Sequence, residues 1–155
     1  MVSMRRANFD DISLLADLMA EFYAEADYQL DHERARAAFA SILSDERLGS
    51  VWIIQADGQD VGHLVLVLRY AMEYGGMIAC LYDLYVKPGW RNQGLGTRGL
   101  VEVRDFCEKA GIRALTVEVD PSNGPAQTAY RRVGFTESIG RQLLALALAP
   151  PTHIV

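Results

Sequence analysis

The sequence predicts an α/β (α+β) fold: a central, mixed and mostly antiparallel twisted sheet of about seven strands, with about four helices packed on it. Two observations predict this. Apolar, β-branched runs and segments of helical period follow one another in the order β α α β β β α β α β β. Three of the runs also lie in succession with only tight turns between them, which makes them antiparallel neighbours rather than crossover-linked parallel strands.

Val2 to Ala7 reads as the first strand. Asp10 or Asp11 is the expected cap of a first helix, in which Leu14, Leu15, Leu18, Met19 and Phe22 recur at helical spacing. A second helix is expected from Asp31 to Ser44. Ser50 to Ala56 and Val61 to Leu68 flank Asp57-Gly58, a strong hairpin signal, and Met77 to Val86 follows the turn Tyr74-Gly75-Gly76. Leu95 to Ala110 gathers Leu100, Val103, Phe106, Cys107 and Ala110 on one side and stops at Gly111, a residue suited to a left-handed helix end. Arg113 to Val119 is strand again. A short helix over Asn123 to Val133 ends at Gly134, and Phe135 to Ser138 and Arg141 to Leu148 read as two closing strands. No repeat, linker or low-complexity stretch divides the chain, and the tail at Pro150-Pro151 is too short to form a unit of its own. One domain over residues 1–155 is the expectation.

Composition narrows the function classes. A formal charge of −5 with no basic block argues against a nucleic-acid partner and is compatible with a cationic substrate. Cys80 and Cys107 are the only cysteines and read as reduced, buried thiols, which favours a cytoplasmic setting. No apolar run has the length of a membrane span, and the start of the chain lacks the pattern of a signal peptide. His32, His63 and His153 are scattered without ligand spacing, so no metal site is expected.

The most informative stretch is Arg91-Asn92-Gln93-Gly94-Leu95-Gly96, set between an apolar strand and an amphipathic helix. Glycines let a backbone approach an anion without interference from Cβ. Successive N–H groups converge on the anion, and the helix N-terminus adds the equivalent of roughly half a positive charge. Taken alone, a glycine pair is as well explained by a tight turn. Gly94-Leu95-Gly96-Thr97-Arg98-Gly99 also fits a dinucleotide fingerprint, with Glu118 at a workable distance for a ribose carboxylate. Against that reading, Lys87 to Gln93 intervene between strand and glycine where a dinucleotide fold turns almost at once. A nucleotide-triphosphate loop fails because no Lys-Ser or Lys-Thr pair follows.

Downstream, Asn123, Ala126, Tyr130 and Gly134-Phe135 fall at fixed intervals. Asn123 and Tyr130 are two helical turns apart, so they share a face with the small Ala126. With Asp83-Leu84-Tyr85-Val86 and the loop Arg91 to Gly96, these residues make the chain resemble the GNAT superfamily of acyl-CoA-dependent N-acyltransferases. The order of elements matches over nearly the whole chain, and the two motifs at their mutual spacing are far more specific than either alone.

The resemblance implies that the fourth and fifth strands, Met77 to Val86 and Arg113 to Val119, splay to admit the pantetheine arm of acetyl-CoA. The arm would pair with backbone groups of Leu84, Tyr85 and Val86. It implies that the amides of Gln93, Gly94, Leu95, Gly96 and Thr97, with Asn92 in the same loop, hold the pyrophosphate, that Arg91 or Arg98 adds charge, and that Asn123 bonds the pantetheine amides beside Ala126. An N–H near Leu84 or Tyr85, at a bulge, would face the thioester oxygen. Tyr130 matches the family's acid for the departing thiolate; a core tyrosine is the alternative.

The resemblance further implies direct attack by a primary amine of a small molecule or peptide in a ternary complex. Freeing the lone pair of a lysine-like amine at pH 7 costs about 4.6 kcal/mol, so a carboxylate base matters most for that class. Relatives place an acidic residue where this chain has Tyr82. Glu118, which matches a catalytic glutamate of ribosomal-protein alanine N-acetyltransferases, Asp83 and Glu73 are the alternatives, and Glu118 reads equally as a solvated strand residue. Tyr23, Tyr28, Glu73 and Tyr82 are candidate acceptor-binding residues, by ion pairing and ring faces, although a solvated helix end explains the first two as well. The resemblance also implies that a homodimer is common among such domains, and no residue pattern fixes it here. A catalytically weak acyl-CoA-binding module and a dinucleotide-dependent oxidoreductase are the competing functions.

Overall fold

A computed structural model describes residues 2–138 and 140–154. Its elements are β1 (Val2–Arg6), α1 (Ile12–Ala24), β2 (Gln29–Leu30), α2 (His32–Ser44), β3 (Gly49–Ala56), β4 (Gln59–Ala71), β5 (Gly76–Val86), α3 (Leu95–Lys109), β6 (Leu115–Val117), α4 (Gly124–Val133) and β7 (His153–Ile154). Short 3-10 turns precede α1 (Phe9–Asp11) and α3 (Pro88–Trp90).

Five strands form the main sheet in the order β1-β3-β4-β5-β6, while β2 and β7 pair separately as a small antiparallel ribbon. β1, β3, β4 and β5 are antiparallel to their neighbours, and β6 runs parallel to β5. That arrangement excludes the dinucleotide fold, which needs a mostly parallel sheet. The expected seven strands in one sheet are thus five plus two.

Local chemistry explains the elements and several boundaries. The β3–β4 hairpin turns on Asp57 and Gly58, at φ 50° and 77°, the left-handed pair that a two-residue turn requires. Asp11 is the N-cap residue of α1, one of the two expected, though without a side-chain cap bond; the 3-10 turn before it is capped by Asn8, whose side chain accepts from Asp10 N at 2.9 Å while the Asp11 carboxylate accepts from Asn8 N at 2.9 Å. Asp11 is further engaged by Arg5 at 2.8 and 2.9 Å. Asp31 caps α2 as expected, accepting from Glu33 N and Arg34 N.

α1 and α2 cover one face of the sheet through Leu15, Ala16, Ala35 and Phe39 against Val51 and Ile53. α3 and α4 cover the other through Leu100, Val103, Cys107, Tyr130 and Val133 against Leu64, Leu66 and Leu81. Fully burying one such leucine, isoleucine or valine contributes about 1.5–3 kcal/mol, so these two layers fix β5 between them.

Two expected strands are absent. Phe135 to Ser138 and Arg141 to Leu148 have no strand conformation; Ile139 lies outside the described residues. An alternating Leu/Ala sequence is only a propensity until a partner edge is found. Here Arg141 is held by Glu73 at 2.9 Å and Thr152 by Asp31 N at 2.7 Å, and the chain between them lies against no strand. β6 is likewise cut from the expected seven residues to Leu115–Val117. Cys107 is buried as expected, whereas Cys80 is half-buried, its sulfur accepting from Thr116 Oγ1 at 3.2 Å.

Candidate active site

β5 is the spine of the site. One edge follows β4 to its end, but pairing with β6 stops at Leu81 opposite Val117, so residues 82–86 have lost β6 as a neighbour. The register with β4 also slips there. His63 faces Tyr85 and Val65 faces Tyr82, which leaves one extra residue on β5 at Asp83-Leu84. Asp83 takes φ 54°, a left-handed conformation that aspartate tolerates better than most side chains. Gly62 permits the close approach of β4, since a Cβ there would sit 2.2 Å from the Tyr85 carbonyl oxygen.

Beyond Val86 the chain makes its 3-10 turn and then passes through two left-handed residues, Asn92 (φ 62°) and Gly94 (φ 77°). Such turns aim successive N–H groups at one point. α3 begins at Leu95 with Gly94 as its N-cap and no side chain capping the first turn, so its leading N–H groups keep their donor capacity. Leu95 is buried with Ile54, Ala56 and Val61, which anchors the loop to the sheet. A Cβ on Gly96 would meet only Leu84 Cδ2, at 4.0 Å. The structure thus gathers Gln93, Gly94, Leu95, Gly96 and Thr97 at one helix N-terminus, beside the end of β5 that has lost β6 as a neighbour.

Arg91 lies differently from its anticipated role. Its Nε donates to the Val86 carbonyl at 2.8 Å, its guanidinium pairs with Glu25 at the end of α1, and it stacks 5.5 Å over the Tyr85 ring. The Arg91 charge is therefore directed to α1 and β5 rather than the loop amides, and the Val86 oxygen already has a donor.

On the far side of the gap, Asn123 caps α4, its Oδ1 accepting from Ala126 N at 3.2 Å. Tyr130 is buried, 8% exposed, with its ring edge-on to Phe135 at 5.5 Å. Burial raises its phenol to about 12, so it stays protonated throughout the physiological range.

Asp83 sits where the gap meets α1. Burial raises its carboxyl from the ordinary 3.8 to about 6. Tyr23 lies close enough that the Asp83 charge, after burial itself, raises the Tyr23 phenol, while Thr152 bonds to the same side chain. The Tyr23 ring stands 6.4 Å from Tyr28 and 6.1 Å from His153, and Tyr28 stacks on His153 at 4.4 Å. Half-exposed Tyr82 is on the same stretch, its phenol raised by burial first and then by the charges of Cys80, Glu118 and Asp83, against Arg69. Glu118 is exposed, just past the end of β6. Glu73 is not brought in: it lies in the turn before β5, paired with Arg141, about seven strand residues or 23 Å from Asp83.

Some neighbours were not legible beforehand. Thr152 and His153 reach Tyr23 only because β7 pairs with β2, a contact across most of the chain for which no local signal exists. His63 is fully buried beside Tyr85 and Phe39, with both ring nitrogens lacking a partner, and burial lowers its pKa to about 4. It is a neutral core residue. Among the described residues no group of His, Cys, Asp or Glu has the arrangement of a metal site, and no helix is long and apolar enough to cross a membrane.

Comparison with known proteins bears on the fold and the family. The family model described as the acetyltransferase (GNAT) family matches residues 13–135. The uncharacterised N-acetyltransferase YhfO of Bacillus subtilis is 25% identical over 139 residues, covering 90% of this chain and 93% of its own. The ribosomal protein bS18-alanine N-acetyltransferase of Escherichia coli K12 is 38% identical over 64 residues, 41% of this chain and 43% of its own. Among solved structures, the integron cassette protein HFX_CASS3, from the mobile metagenome of Cole Harbour Salt Marsh, superimposes with a TM-score of 0.87 at 42% identity, covering 96% of this chain and 92% of its own. A predicted acetyltransferase of Clostridium acetobutylicum solved with acetyl-CoA shares the fold at a TM-score of 0.77 and 18% identity, over 94% and 96% of the two chains. With a family model matching residues 13–135, which include β3 to β6, the loop and α4, the chain belongs to the acetyltransferase (GNAT) family of enzymes.

Proposed function

We propose that the protein transfers an acetyl group from acetyl-CoA to a primary amine of a small molecule or peptide, by direct attack in a ternary complex. The observation that carries this reading is the placement of a half-buried carboxyl, Asp83, at the bulge where β5 loses β6, on the strand that leads into an uncapped helix N-terminus. The fold neighbour from Clostridium acetobutylicum carries acetyl-CoA, and the Escherichia coli relative is named for an alanine amine of a ribosomal protein.

The loop amides from Gln93 to Thr97 fit the pyrophosphate, since glycines leave the approach clear and the helix adds its positive end. Asn123 spends its carbonyl oxygen on the cap of α4 and keeps its amide nitrogen for a pantetheine carbonyl. Backbone groups along Leu84 to Val86 accept the arm as an added strand would, with Arg91 fixing the Val86 end. Bound coenzyme supplies the activated thioester.

Asp83 is the base. Ionised above about pH 6, it takes a proton from the amine nitrogen as the N–C bond forms and the nitrogen becomes acidic. The bulge N–H at Leu84 or Tyr85 faces the oxygen on which negative charge develops. The C–S bond breaks, and the electron pair leaves on sulfur. Tyr130, at about 12, holds its proton about three units more firmly than a free thiol does, so it stabilises the thiolate as a hydrogen-bond donor. Tyr23, Tyr28 and His153 beside Asp83 form an aromatic, anionic corner suited to a cationic amine. Tyr82, whose phenol is raised by burial first and then by the charges of Glu118 and Asp83, stands on the same stretch of β5.

Two measurements check these assignments. Tyr130→Phe should lower kcat by about 10²-fold or more while leaving the KM for acetyl-CoA near the wild-type value; unchanged turnover would remove Tyr130 from the mechanism. In thermal-shift experiments, acetyl-CoA at one hundred times its dissociation constant should stabilise the protein by about 2.7 kcal/mol, and NAD should have no effect. The reverse pattern would point to a dinucleotide enzyme. A catalytically weak binding module would bind acetyl-CoA and release no thiol with any amine.

A further inference from the structure

We infer that the protein binds a small apolar α-amino acid, as the zwitterion, at a second site built on Arg6, Glu46 and Ser50, away from the β5 bulge and the glycine loop. Two cavities, of about 360 and 250 Å³, adjoin there, and Arg6, Glu46, Gly49 and Ser50 line both. Ala7, Ile42, Leu43 and Val51 complete the first; Leu66, Leu68, Phe106, Cys107, Ala110 and Ile112 complete the second. A polar waist thus separates two apolar lobes.

The end of β1 opens this waist. β1 pairs with β3 only as far as Arg6 opposite Trp52, with Ala7 N donating to the Val51 carbonyl at 2.9 Å, whereas Gly49 and Ser50 remain paired with β4. Gly49 takes φ 150°, and a Cβ there would sit 1.9 Å from the Leu66 carbonyl oxygen. Close pairing of β3 with β4 therefore keeps that position of the waist free of a side chain.

The charged groups of the waist are uncommitted. Arg5 and Arg6 point to opposite faces of β1, and Arg5 is held by Asp11 and Asp60. The Arg6 guanidinium lies instead over the rings of Trp52 and Phe106, 5.1 and 5.4 Å from their centroids. Among the described residues neither Arg6 nor Glu46 enters an ion pair. Stacking on ring faces leaves the edge of the guanidinium fork, the part that bonds a carboxylate, available. Ser50 supplies a second donor. It is 9% exposed, its Oγ accepts from Trp52 Nε1 at 2.9 Å, and its own hydroxyl proton remains for an acceptor.

These groups select a ligand with both charges close together. Arg6 and Ser50 suit a carboxylate, and Glu46, which only accepts, suits an ammonium beside it. A simple carboxylic acid would face Glu46 with its own negative charge, and a simple amine would face Arg6. The apolar body belongs in the second cavity: about 150 Å³ admits benzene, so about 250 Å³ holds a side chain the size of leucine or phenylalanine. Burial pushes the Cys107 thiol up to about 11, so this wall stays neutral and unreactive. The site lies at the C-terminal end of α3, about 20 Å along that helix from the loop at its start. An amino acid held here is out of reach of a thioester beside the β5 bulge. It is a ligand rather than an acceptor, and its binding does not depend on the proposed acetyl transfer.

Calorimetric titration of the full chain with L-leucine and L-phenylalanine tests this. Isocaproate and isoamylamine serve as the probes that lack the ammonium and the carboxylate of leucine. At least one amino acid should bind with a dissociation constant on the order of 1 mM or below, as suits so small a ligand. Isocaproate and isoamylamine should bind about 10-fold or more weakly, and Arg6→Gln and Glu46→Gln should each weaken the amino acid by about 10-fold or more with far-UV circular dichroism retained. In NMR spectra of the wild type, the Trp52 indole N–H, which donates to Ser50, should shift over the same titration. That resonance decides independently should a variant fail to fold. Failure of both amino acids to bind at ten times that concentration overturns the proposal, as does isocaproate binding as tightly as leucine. Binding that survives either substitution, or that saturates without moving the Trp52 indole resonance, places the amino acid elsewhere and overturns it too.

Discussion

Replacing Asp83 with asparagine is expected to lower kcat/KM for the amine by about 10²–10⁴-fold, the usual contribution of a positioned general base. The wild-type profile should fall as pH drops through about 6, where burial places the Asp83 carboxyl. In the variant that acid limb should disappear. Stability should move the other way. A carboxyl raised from 3.8 to about 6 binds more protons folded than unfolded, so stability declines as pH rises between those values, and ionised Asp83 opposes folding by up to about 3 kcal/mol at pH 7. Asp83→Asn removes that cost. A variant that melts at the same or a higher temperature yet has lost turnover separates chemistry from folding, whereas parallel loss of both would make Asp83 a structural residue.

The second large effect is expected at the helix N-terminus. Gly96→Asp adds a Cβ whose nearest neighbour is Leu84 Cδ2 at 4.0 Å, so the ligand-free fold has room for it. A carboxylate in the first turn of α3 also suits the helix dipole, and aspartate is a better helix former than glycine. Against a bound pyrophosphate the same charge is repulsive. Two like charges about 4 Å apart at a protein surface oppose each other by about 4 kcal/mol, so the dissociation constant for acetyl-CoA should rise by about 10²–10³-fold. Calorimetric titration reads this directly. Unaltered affinity in a folded Gly96→Asp protein would place the phosphates elsewhere.

The two sites differ in how far the sequence alone exposes them. The loop is local: its glycines, the apolar strand before it and the amphipathic helix after it are contiguous, so both the turn and the helix start can be read from neighbouring residues. The same holds for Asp31 as the α2 cap and for the Asp57-Gly58 hairpin. Asp83 is legible as a candidate, but its raised pKa depends on the bulge and on α1 folding over it, which periodicity does not reveal. Arg91 shows the converse. Its charge beside a phosphate loop invites a phosphate role, yet Glu25 and the Val86 carbonyl, brought close by tertiary folding, engage it. The closing strands fail for a related reason. Residues 141–148 have a strand's alternation, but pairing depends on an edge, and none of them pairs with a strand. Glu73 was plausible as an acid near the acceptor helices, and only the length of β5 places it at the wrong end of the sheet.

The central claim, that residues around the β5 bulge transfer acetyl from acetyl-CoA to an amine, is tested most directly by thiol release over a panel of primary amines and peptide α-amines, with wild type and Asp83→Asn in parallel. The account predicts amine-dependent release by the wild type that falls as pH drops through about 6, and release reduced by about 10²–10⁴-fold in the variant. Amine-dependent release of equal rate and equal pH dependence in both proteins would contradict it.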